Sequence, residues 1–303
     1  MKFSIWPSSA RPWEDLLATA RFADRGGWHG IWCADHYMPN TEDGSVDDRP
    51  FLEVWAVLPA LAAATSRVRL GPLVSPTSVH HPALLANRAA SLDVVSGGRF
   101  VLGLGAGWQV NEHRAYGIEL EAPGPRVRRF DEAIQIVRSL LDQPRTTFEG
   151  EFYSITDAPM NPKAIQERLP ILVGTGGSKM LRITARHADE WNTWGDPTVV
   201  AAASARMDAA CEAVGRDPAS LHRSAQAMVF LADDDEGADR LRQVAPPDRS
   251  IVGTPEQLLE IVATYQDSGI EELIVPDFTL GEHQAEREDR YGRFWETVAS
   301  ALS

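Results

Sequence analysis

Residues 67–113 read RVRLGPLVSPTSVHHPALLANRAASLDVVSGGRFVLGLGAGWQVNEH. Two apolar runs, RVRLGPLVS (67–75) and GRFVLGLGAG (98–107), have the β-branched and small-residue character of buried strands. Between them HPALLANRAASLDVVSGG (81–98) has the pattern of a helix. Strand, helix and strand in that order form a βαβ unit, whose strands run parallel with their carboxyl ends side by side. Loops rich in Gly, Pro, His or Trp follow both strands, and α/β enzymes build their sites at such ends.

The same alternation extends in both directions. Apolar runs at 3–6, 30–34, 68–74, 99–104, 170–174, 190–193, 225–231 and 272–276 read as strands. Helical patterns fall at 13–25, 51–65, 82–96, 127–142, 178–187, 197–214, 255–268 and 287–302. Thr254-Pro255-Glu256 places a cap oxygen before a first-turn proline, and Gly269 closes that helix. Pro59 is expected to kink or split the second helix. Eight strand–helix pairs are the count of a closed (β/α)8 TIM barrel. No linker or low-complexity segment divides the chain, so residues 1–303 are expected to form one domain. The irregular stretches 37–50, 113–126, 144–169 and 277–288 read as loop insertions at the C-terminal face.

Bulk composition narrows the function. Lys and Arg number 29 against 43 Asp and Glu, a net charge of −14. Such a surface repels nucleic acid and anionic membranes, so neither is expected as a partner. No apolar run reaches transmembrane length and the N-terminus lacks a signal-peptide core, so a cytoplasmic protein is expected. Cys33 and Cys211 read as two buried thiols. No Cys/His cluster has zinc spacing, and His187-Ala188-Asp189-Glu190 lacks that of HExxH. No metal is expected.

Three strand ends carry candidate chemistry. Asp35-His36 ends the second strand, and an imidazole beside a carboxylate supports proton transfer near neutral pH. An Asp that binds backbone amides and a His packed on its loop is the plainer alternative. Gly103-Leu104-Gly105-Ala106-Gly107 is GxGxG, not the GxGxxG of a dinucleotide loop. Its glycines admit close approach by a flat ring or a neighbouring strand, and Trp108, Asn111 and Glu112 follow directly. Gly174-Thr175-Gly176-Gly177-Ser178-Lys179 opens a helix after the fifth strand, either as an anion site or as a glycine turn with a serine cap. Arg223, Arg240 and Arg242 read as solvated surface. Of the nine tryptophans, Trp6, Trp108 and Trp191 stand at strand ends.

Taken together, KFSIWPS, GWHGIWCADHYMPN, the run from Arg67 to Ile118, FEGEFYSITDAPMNPKAIQ and LPILVGTGGSKMLRITARHADEWN resemble the bacterial-luciferase-like superfamily. Within it they resemble the deazaflavin (coenzyme F420)-dependent oxidoreductases. The resemblance covers the N-terminus to about Asn192; the C-terminal third is much less diagnostic. It implies a TIM barrel, usually a homodimer, with a tricyclic flavin or deazaflavin at the carboxyl face. Asp35 and His36 would sit by the ring, with His36 as proton donor or acceptor oriented by Asp35. A cis peptide at Leu73-Val74 would back the ring. Gly107, Trp108 and Asn111 would approach the ring and tail, and Gly176, Gly177 and Ser178 would hold the phosphate. Trp108 departs from the carboxylate that sugar-phosphate dehydrogenases of this branch have there, which puts sugar-phosphate oxidation in doubt and makes Glu112 the nearest acid. The implied function is hydride exchange between coenzyme F420 and a small organic substrate. The alternatives are an FMN-dependent monooxygenase of the same fold and a flavin-binding barrel without catalysis. Lys179, Arg182, His80 and His81 are the candidate cations for the anionic glutamyl tail that distinguishes the deazaflavin from FMN.

Overall fold

A computed structural model describes residues 1–303. Its barrel strands are β1 (Lys2–Trp6), β2 (Gly30–Cys33), β3 (Arg69–Pro72) with β4 (Ser75–Pro76), β5 (Leu102–Gly105), β8 (Ile171–Gly174), β9 (Glu190–Trp194), β10 (His222–Gln226) and β13 (Glu272–Pro276). They run parallel in the order β3-β2-β1-β13-β10-β9-β8-β5-β4. β3 and β4 are two halves of the third strand, so that strand lies at both ends of the order. The barrel closes where the Leu70 amide donates to the Arg99 carbonyl and the Val101 amide to the Leu70 carbonyl. Eight strand positions result, as the sequence pattern predicts.

Parallel strands buried on both faces alternate between two cores. Phe3, Ile5, Ile31, Cys33, Leu273 and Val275 point outward into the layer shared with the helices. Trp6, Trp32, Leu73, Val101, Leu172 and Ile274 point inward. The outer layer contains α1 (Trp13–Gly26), α2 (Val54–Ala64), α3 (Pro82–Ser96), α5 (Pro123–Asp142), α6 (Ser178–His187), α7 (Pro197–Glu212), α9 (Pro255–Asp267) and α10 (Gln284–Phe294). Pro59 lies inside α2 without splitting it. The capping box at Thr254 and Gln257 starts α9 as its sequence predicts. Both cysteines are free and buried, and burial pushes the Cys33 thiol up to about 12.

Several stretches without apolar periodicity prove ordered. Residues 144–169 contain the antiparallel hairpin β6 (Arg145–Glu149) and β7 (Ser154–Pro159). A short helix, α4 (Val110–Ala115), precedes 116–122, and α5 begins at Pro123 rather than 127. The expected strand 225–231 is two: β10 belongs to the barrel, whereas β11 (Met228–Leu231) leaves it to pair with β12 (Ser250–Gly253) across α8 (Asp235–Arg242). Arg223 is buried and paired with Asp208, not solvated. The start of β10 therefore lies inside the protein.

The N-terminal end of the barrel is filled by charge. Arg69 pairs with Glu190 and lies 3.8 Å from Glu272. Trp32 donates to Glu272 at 2.8 Å, and His222 Nε2 lies 3.4 Å from the same carboxylate. Burial alone would raise the Glu272 pKa, but His222 and Arg69 hold it down to about 2. Burial opposes protonation of His222, and the surrounding carboxylates outweigh it and raise its pKa. Donor atoms of Glu190, His222 and Glu272 lie within 4.8 Å of one another, with the Arg69 guanidinium supplying positive charge among them. The sequence reading missed this cluster because its members come from five separate strands.

Candidate active site

The third strand decides the geometry of the opposite, C-terminal end. Between β3 and β4 the Leu73-Val74 peptide is cis, as the resemblance implies. Val74 lies against Gly103, Gly105 and Gly174. A Cβ on Gly105 would stand 2.7 Å from Val74 Cγ2, and one on Gly103 would stand 1.9 Å from the Pro72 carbonyl oxygen. The GxGxG run therefore accommodates the strand beside it; its glycines are not the floor of a ring. Gly107 has φ of +90° with Ser78 Oγ against its open side, which a side chain would occupy.

Asp35 and His36 point apart. Asp35 is 1% exposed, and its Oδ2 accepts from Ser75, from His80 Nε2 at 2.9 Å and from Trp55 Nε1 at 3.2 Å. Its Oδ1 is buried with no partner in the protein. Asp35 thus anchors β4 and His80, and does not orient His36. Glu112 does. Its Oε1 is 2.8 Å from His36 Nδ1, and its Oε2 accepts the Tyr37 amide at 2.9 Å. Glu112 is 2% exposed and is placed by α4, whose sequence carries too few apolar residues to announce a helix.

Asn111 is also buried. It donates to the Pro39 and Ser45 carbonyls at 2.9 and 3.1 Å and receives the Glu112 amide. It therefore pins the 37–50 loop instead of facing the cavity. Gln109 donates to the Met38 carbonyl at 2.9 Å and reinforces the same clamp. His80 is committed to Asp35, and the His81 imidazole accepts the Ala83 amide to cap α3.

Two adjoining cavities open at this face and share Trp6, His36 and Trp108. One, of about 510 Å³, is lined by Leu73, Val74, Gly174, Thr175, Gly176, Asn192, Trp194, Gln226, Arg206 and Arg249 besides the shared three. The other, of about 640 Å³, runs toward Arg11, Asn40, Phe51 and Phe278. Trp108, 56% exposed, stands edge-on to His36 with ring centroids 5.6 Å apart. Trp6 meets Trp194 at 5.4 Å and Phe278 at 5.3 Å. Trp6 Nε1, Trp194 Nε1 and Gln226 Oε1 find no partner within the protein. Gly176, Gly177 and Ser178 are exposed at the start of α6, whose N-terminus no side chain caps. Its free amides form an electropositive end at one edge of the first cavity. Lys179 and Arg182 lie on α6 outside both linings. Trp191 is fully buried and ties its indole to the Thr175 carbonyl at 2.9 Å; Trp194, which the sequence reading missed, is the cavity wall on β9.

This arrangement provides an apolar slot, an imidazole held by a buried carboxylate, and a helix N-terminus at the slot's edge. Known proteins share its frame. The chain is 36% identical over 169 residues to an F420-dependent glucose-6-phosphate dehydrogenase from Kineococcus radiotolerans, covering 55% of this chain and 48% of the relative. The match thus spans about half of that relative's length. An F420-dependent secondary alcohol dehydrogenase in complex with an F420-acetone adduct superposes with a TM-score of 0.83 at 18% identity, covering 99% of this chain and 98% of that one. A monooxygenase from Streptomyces bottropensis gives 0.83 at 22% identity over the full length of both chains. At these identities the two structures establish the fold. The profile of the luciferase-like monooxygenases matches residues 1–250, and the chain belongs to that family.

Proposed function

We propose that the protein is an oxidoreductase that binds coenzyme F420 and exchanges hydride with a small organic substrate. The observation that carries this reading is the His36–Glu112 pair, 2.8 Å apart, at the junction of a slot sized for a tricycle and a second, aromatic-walled cavity. The relative from Kineococcus radiotolerans is named for the same cofactor.

The residues present fit such a group. A slot of about 510 Å³ is in the range of cofactor sites. Leu73, Val74, Trp6 and Trp194 offer apolar surface to a ring, and the unpartnered indole N–H groups and Gln226 oxygen offer hydrogen bonds to its polar edge. The amides at Gly176–Ser178 would take the phosphate. When bound, the deazaflavin supplies the carbon that gives or takes the hydride.

The chain's own residues manage the proton. Glu112 accepts the N–H of His36 Nδ1, which fixes the ring and leaves Nε2 free at the cavity. Nε2 then gives a proton to, or takes one from, the substrate oxygen as the hydride moves. Asp35, Ser75 and His80 hold the strand that backs the slot. Trp108 stands edge-on to His36 and lines both cavities with it.

A panel of small alcohols, carbonyls and activated alkenes, assayed with oxidised and reduced F420, tests the reading. His36→Ala is expected to lower kcat by roughly 10²–10⁴-fold with cofactor affinity little changed. Full turnover in that variant would remove His36 from the mechanism. Tight F420 binding with no turnover across the panel would point to a binding protein instead.

A further inference from the structure

The cavity that contains His36 and the Leu73-Val74 step is also lined by Gly174, Thr175 and Gly176 and, on α7, by Val199, Ala203 and Arg206. These three are at i, i+4 and i+7, so they share one face of the helix. Seven residues at 1.5 Å each put Arg206 about 10 Å along the axis from Val199. Arg249 joins the same lining from the turn before β12. Its neighbour Asp248 accepts the amide of Asp196, the N-cap of α7, which fixes Arg249 near that end of the helix.

Neither guanidinium pairs with a carboxylate of the chain, although acidic side chains outnumber basic ones 43 to 29. Other arginines at this face differ: Arg11 is held near Asp277 and Arg49 is paired with Asp47. Two uncompensated cations along one groove form a local positive track on an acidic protein. Such a track suits a ligand carrying several carboxylates.

We propose that Arg206 and Arg249 hold the anionic glutamyl tail of the deazaflavin in the groove beside α7. The inference rests on the cofactor assigned under Proposed function. FMN ends at its phosphate and carries no carboxylates beyond it. The tail carries carboxylates beyond the phosphate, and Arg206 and Arg249 share one cavity lining with Gly176 at the start of α6. In this proposal Arg206 and Arg249 take the role expected of Lys179, Arg182, His80 and His81, none of which lines this groove.

Titrations of the protein with F420, with the same deazaflavin lacking its glutamates, and with FMN test the assignment. Both arginines are exposed, so Gln replacements leave the core intact. The R206Q/R249Q double variant is expected to raise the Kd for F420 roughly 3- to 10-fold, the scale of two solvent-exposed ion pairs. The glutamate-free deazaflavin should bind wild type and variant alike. In wild type, added salt should weaken F420 more than the truncated ligand, and the variant should lose that difference. Unchanged F420 affinity in the double variant, or equal weakening of both deazaflavins, overturns the proposal. If wild type binds the two deazaflavins equally well, the tail assignment alone fails. If it binds neither, the cofactor reading fails with it.

Discussion

His36 and Asp35 show how far a single sequence can be read at the scale of the residue. The dipeptide at the end of the second strand was legible as a candidate, and His36 does line the cavities, but the partner of its imidazole was not legible. Asp35 turns into the protein to receive Ser75, His80 and Trp55, while Glu112 arrives from 76 residues away to meet His36. Adjacent residues on a strand point to opposite sides, so the sequence neighbour was the wrong candidate for an orienting group. In the proposed mechanism Glu112 is a positioning residue, and the split between kcat and KM separates that role from a merely structural one. Glu112→Gln loses the carboxylate that holds Nδ1 and is expected to lower kcat by roughly 10-fold or more, with KM and the unfolding midpoint little changed. A loss of rate that follows a loss of folded protein would show that Glu112 only supports the fold.

Elements were legible where apolar periodicity was strong. The barrel strands and their helices stand close to their predicted positions because each must bury a stripe or a face. The helix α4, the β6–β7 hairpin and the departure of β11 from the barrel were not, since polar residues and local turns define them. GxGxG had two open readings, a flat ring or a neighbouring strand, and packing selects the strand: the β3–β4 half-strands press against β5. Gly103→Ala places a methyl group against the Pro72 carbonyl. It is expected to cost about 1–3 kcal/mol, the range for overpacking a filled core. Thermal or denaturant unfolding measures this. A variant as stable as wild type would show that β3 can move away from β5 freely.

For the whole molecule, the two ends of the barrel do different work. The C-terminal end leaves polar atoms unpartnered around an open cavity, whereas the N-terminal end is closed by Arg69, Glu190, His222 and Glu272. Glu272, held down to about 2, contributes stability that is present above its ordinary pKa of 4.5 and is lost as pH falls toward 2. Burial pushes His29 down to about 4 despite Glu272, so its contribution is lost as pH falls from 6.5 toward 4. Acid should therefore destabilise the protein in two overlapping steps. Glu272→Gln is expected to cost roughly 3 kcal/mol at neutral pH, the scale of a broken buried ion pair, and to flatten the unfolding midpoint between pH 4.5 and 2. A variant with the wild-type pH dependence would remove Glu272 as its source. None of this network was visible in the sequence, because its members are brought together only by closure of the sheet.

Family membership leaves the flavin or deazaflavin choice to the site, and binding decides it. Apo-protein titrated separately with coenzyme F420 and with FMN, followed by the ligand's own absorbance or fluorescence, is the direct measurement. Saturable F420 binding at least tenfold tighter than FMN binding is the result predicted here. Tight FMN binding with no binding of F420 would contradict it and turn the site over to flavin monooxygenase chemistry.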